Sequence, residues 1–141
     1  MNKWVLIIGF LSFLPMKAAS QSRMVQVCAD TAGENSVFVP IAKYLQRGDA
    51  ECLAAWFAEN LQVNVMGTVS NCSRSQARQI VRNFFTNYTP RDFEIVYTSG
   101  TYPMEYAVGN LDSGGNMFTI TILVKTNESG NYIEQLKIEK Q

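Results

Sequence analysis

Glu134 lies in Tyr132-Ile133-Glu134-Gln135-Leu136-Lys137-Ile138 and shares alternate-residue parity with Tyr132, Leu136 and Ile138. That parity places it toward the apolar side of a strand, where a carboxylate can act as a base or hold a cation. The competing reading is a strand-end residue that still reaches water. The other acids have backbone roles. Asp49 follows Gly48 and is placed to cap a helix, Asp92 follows Pro90-Arg91 in a turn, and Asp112 precedes Gly114-Gly115 in a hairpin. The chain contains no histidine. Ser-His and Cys-His nucleophilic pairs are thereby excluded, and with them the usual zinc hydrolase ligand sets. No P-loop, GxGxxG motif or metal-ligand cluster is present in the sequence, so no cofactor and no metal are expected.

Cys28, Cys52 and Cys72 are the three cysteines. In an exported chain two of them are expected to pair, and Cys52–Cys72 is the expected bridge, leaving Cys28 over. Alternatively Cys52 is a reduced core residue on an apolar helix face. Arg47-Gly48-Asp49 spells an adhesion tripeptide, yet a helix–turn–helix junction accounts for it. The sequons at Asn71, Asn87 and Asn127 matter only in a eukaryotic host.

Export is read from residues 1–20. Lys3 supplies a positive start, Trp4 to Leu14 an apolar run too short to span a bilayer, and Ala18-Ala19-Ser20 a cleavage site before Gln21. Residues 21–36 then form a polar lead and 37–141 the single domain, in the periplasm or outside the cell. No later run is apolar enough to be transmembrane. Without Lys3 and Lys17 the 12 basic residues become 10 against 12 acidic ones, a net charge of −2. That balance gives no electrostatic reason to expect nucleic acid as a partner. Arg74, Arg78 and Arg82 recur at every fourth position and read as a solvated helical face.

The elements that position these residues follow from apolar periodicity. One helix is expected from Ser36 or Pro40 to Arg47, a second from Ala50 to Glu59, and a short strand at Leu61–Met66. After a polar loop, a third helix opens at Ser73 or Ser75 and closes before Pro90. Four strands follow, near Phe93–Ser99, Met104–Asn110, Met117–Lys125 and Tyr132–Glu139. The order implies an α+β domain, three N-terminal helices packed on a curved, mostly antiparallel sheet.

Ile41–Phe57, Cys72–Thr89 and Tyr132–Glu139 carry a resemblance to the NTF2-like (cystatin-type) superfamily and, more narrowly, to the DUF4783 family of small exported bacterial proteins. The resemblance implies a cone that opens between helices and sheet, and an outer sheet face that pairs two protomers in many relatives. Trp56, Phe57, Phe84, Phe85 and Tyr106 are the expected cone lining, with Glu134 as its polar contact. The same aromatics serve equally as plain core. Relatives that are enzymes work with an Asp, a Tyr or an Asp–His pair, and the histidine is missing here. The expected function is therefore non-catalytic binding of a small apolar ligand or a protein partner. The alternatives are an isomerase using Glu134 with Tyr106 or Tyr132, and a dimeric interaction module with a filled cone.

Overall fold

The computed structural model describes residues 36–141. Its centre is the strand β5 (Met117–Asn127), in which Phe118, Ile120, Ile122 and Val124 are buried while the intervening residues are less so. That period of two fixes an inner and an outer face for the whole sheet. β6 (Gly130–Lys140) and β4 (Met104–Asp112) flank β5, both antiparallel to it. β3 (Asp92–Thr101) forms one edge. On the other side β1 (Phe57–Val65) runs parallel to β6, and β2 (Thr68–Ser73) closes the order β2-β1-β6-β5-β4-β3.

Three helices cover the inner face. The first, α1 (Phe38–Arg47), ends at Gly48, whose φ of 67° only glycine adopts freely. The second, α2 (Ala50–Ala54), is capped by Asp49, whose carboxylate accepts from the Cys52 N–H at 3.0 Å. The third, α3 (Arg74–Asn87), begins with a capping box in which Ser73 and Gln76 satisfy each other's backbone N–H groups. Ser73 is also the last residue of β2, so strand and helix meet without a loop.

Two expected boundaries are corrected. The second helix stops at Ala54 rather than Glu59, and Phe57 is an inward strand residue. The polar stretch before α3 is a strand, joined to β1 by a Met66-Gly67 turn with both residues at positive φ, 49° and 93°. Such a two-residue turn matches the twist of paired strands, and the Asn64 side chain accepts from Gly67 N–H at 3.1 Å to hold it.

The arginine stripe on α3 is engaged rather than merely solvated. Arg82 pairs with Glu51 of α2, Arg78 lies 3.7 Å from the same carboxylate, and Arg74 Nε donates to the Phe57 carbonyl at 3.1 Å.

Candidate functional site

Of the aromatic residues expected to line a cone, Phe57, Phe84, Phe85 and Trp56 meet in one cluster, and Tyr106 lies apart from them. Phe57, Phe84 and Phe85 are core, with Phe84 set edge-on to Phe118 at 5.0 Å between ring centres. Trp56 packs against that core from its margin. Tyr106 lies on the opposite face of the sheet, because Ala107, Gly109 and Leu111 are the β4 residues that point inward. It sits instead beside Tyr97, with ring centres 6.1 Å apart. A side chain lining a void wide enough for water keeps accessible surface. Phe57, Phe118, Ile120, Ile122, Ile133, Leu136 and Ile138 keep none, so among the described residues no water-sized void opens beside these side chains.

Glu134 departs from its expected parity because of two register shifts. On the β5 side, Leu123 faces Gln135 and Val124 faces Ile133, which leaves Glu134 as the extra residue of a bulge. On the β1 side, Phe57 faces Ile133 and Gln62 faces Gln135. β1 therefore runs through residues 58–61 while β6 passes Glu134 alone. Ile133, not Glu134, becomes the buried residue.

The loosened stretch of β1 and Glu134 form part of a surface cleft of about 450 Å³. Glu59 and Asn60 line it from β1, Arg74 from the start of α3, and Asn127 and Ser129 from the β5–β6 turn. Tyr132 and Glu134 complete it from β6. A second depression, of about 480 Å³, shares Asn60 and Glu134 and reaches Cys72 and Gln76. Tyr132 donates its phenol hydrogen to the Ser129 carbonyl at 3.1 Å, which commits it to holding the turn. The carboxylate and phenol expected for an isomerase, Glu134 and Tyr132, thus line an open polar cleft instead of a dry cavity, and Tyr106 does not line it.

The expected Cys52–Cys72 bridge is corrected as well. Cys72 is a free, half-buried thiol, whereas Cys52 is disulfide-bonded. Partial burial pushes the Cys72 thiol up from its ordinary value, which favours the protonated form. Cys28 and the expected leader lie outside the described residues.

The outer sheet face divides in two. Gln62 and Gln135 join at 2.8 Å across β1 and β6, with Lys137 and Glu139 beside them. The β3–β4 end is apolar. Val96 is 53%, Tyr97 54%, Tyr102 73% and Met104 41% exposed, next to half-buried Tyr106, Val108 and Leu123.

Residues 38–139 match the family model DUF4783, a domain of unknown function. Among solved structures the chain is similar to a DUF4783 family protein from Bacteroides ovatus (17% identity, TM-score 0.70, covering 78% of this chain and 98% of that one). A second, from Bacteroides uniformis, has 14% identity, TM-score 0.72 and coverage of 75% and 98%. A protein of the NTF2-like family from Streptomyces avermitilis gives 13% identity, TM-score 0.54 and coverage of 89% and 99%. At these identities the likeness is one of fold: helices on a curved, mostly antiparallel NTF2-like sheet. No curated protein matches the sequence.

Proposed function

The chain belongs to the DUF4783 family, a domain of unknown function, and from that premise we propose that it is an exported, non-catalytic interaction domain that acts through its surface. The observation that carries this reading is the filled interior, in which Phe57, Phe84 and Phe85, three of the residues that would have lined a ligand chamber, are core. Binding then falls to the exterior. The apolar β3–β4 end of the outer sheet face is the surface best suited to a protein partner, and a second copy of the chain is the partner we assign.

Export rests on residues 1–20, and among the described residues no helix is long and apolar enough to cross a membrane. Native mass spectrometry of protein recovered from an exporting host reads both parts of the proposal. The expected species is a dimer of chains beginning at Gln21, reduced to monomer in Tyr97→Glu/Met104→Glu with no change in circular dichroism. A wild-type chain that stays monomeric at tens of micromolar would remove the pairing, and an uncleaved leader would remove export.

A further inference from the structure

We propose that the cleft beside Glu134 binds free α-amino acids with cationic side chains. Arg74 sits at its wall with Nε fixed on the Phe57 carbonyl at 3.1 Å, which orients the guanidinium and leaves its two terminal amino groups as a fork. Among the described residues no carboxylate lies within ion-pair distance of Arg74, although Glu59 and Glu134 line the same cleft. Three charges thus share one concavity without neutralising one another. A fixed guanidinium fork binds a carboxylate through two parallel hydrogen bonds. The two glutamates supply acceptors for ammonium groups, and the Asn60 side chain adds a neutral donor and acceptor.

The count of charges selects the ligand. One guanidinium against two carboxylates leaves the cleft at −1, which is matched by one carboxylate and two ammonium groups. A neutral amino acid leaves one glutamate unanswered, and a diamine leaves the guanidinium unanswered. A volume of about 450 Å³ also falls in the range of small-molecule sites and accommodates one or two residues. The double register shift takes Glu134 out of the ladder at the place where it lines the cleft.

The test is a titration of the purified protein with L-lysine, followed through backbone amide shifts of Ala58, Glu59, Arg74 and Glu134. L-Norleucine, which lacks the side-chain ammonium, and 1,5-diaminopentane, which lacks the carboxylate, serve as comparators. Saturable shifts confined to the cleft are expected with L-lysine, and about tenfold weaker binding with either comparator, the equivalent of one lost charged contact. Glu134→Gln and Glu59→Gln, which leave the Arg74–Phe57 contact intact, are each expected to weaken L-lysine about tenfold. Shifts that are equal for all three probes, unsaturated or unchanged in both variants would overturn the proposal.

Discussion

Cys52 and Cys72 make opposite demands on their surroundings. Cys52 is almost wholly buried and disulfide-bonded, whereas Cys72 is a free thiol on an edge strand, partly buried against the core. Cys72→Ser breaks no bridge and should therefore lower the unfolding free energy by no more than about 1 kcal/mol in urea denaturation. Cys52→Ser should cost about 2–5 kcal/mol, the usual toll of losing a native bridge in a small domain. Equal costs for the two variants would argue that the cysteines are partners after all. The raised Cys72 thiol has a definite sign. The folded state holds that proton more tightly than the unfolded chain. Its small contribution is therefore present at neutral pH and lost as pH climbs through the alkaline range. Alkylation of Cys72 in the folded protein should accordingly be slow at pH 7 and accelerate toward alkaline pH.

At the level of elements, the β3–β4 pair depends on a missing side chain. Gly109 points inward, and a Cβ there would collide with the Phe93 ring and stand 2.8 Å from the Glu94 carbonyl. Gly109→Ala should cost about 1–3 kcal/mol, and Gly109→Ala/Phe93→Leu should recover part of it in the same denaturation experiment. A neutral Gly109→Ala would contradict this packing. Much of the element order was legible because its signals are local. Gly48 and Asp49 stop one helix and cap the next, and Ser73 with Gln76 opens α3. β2 was not legible, because in Thr68–Ser73 the exposed Val69 and the half-buried Ser70 and Cys72 give no apolar alternation. The second helix was read too long because Leu53, Trp56 and Phe57 fit a helical stripe, although Phe57 belongs to the strand. The candidate site was less legible still. Alternation shows that Tyr106 and Val108 share a face but cannot say which face is inward. A bulge such as that at Glu134 arises between strands and leaves no mark within one. The nearest hint lay in Ala107 and Gly109, small residues that suit the side approached by Phe93.

For the whole molecule, a filled interior separates this chain from a chamber built to hold something else. Phe118 has no accessible surface and meets both Phe84 and Tyr88 edge-on, at 5.0 and 4.9 Å. Phe118→Ala should cost about 3–5 kcal/mol and leave a dry apolar void. Benzene should raise the melting temperature of that variant and leave the wild type unmoved. A wild-type shift would mean that an internal chamber exists. Ser73, shared between β2 and α3, carries a consequence for how the molecule comes apart. With no slack between them, α3 cannot swing away from the sheet without dragging on the β2 edge, and a slipped β2 pulls directly on the helix cap. The two elements should therefore open as one cooperative unit, and a hydrogen-exchange experiment should find their amides at a common free energy although one lies at a sheet edge and the other over the core.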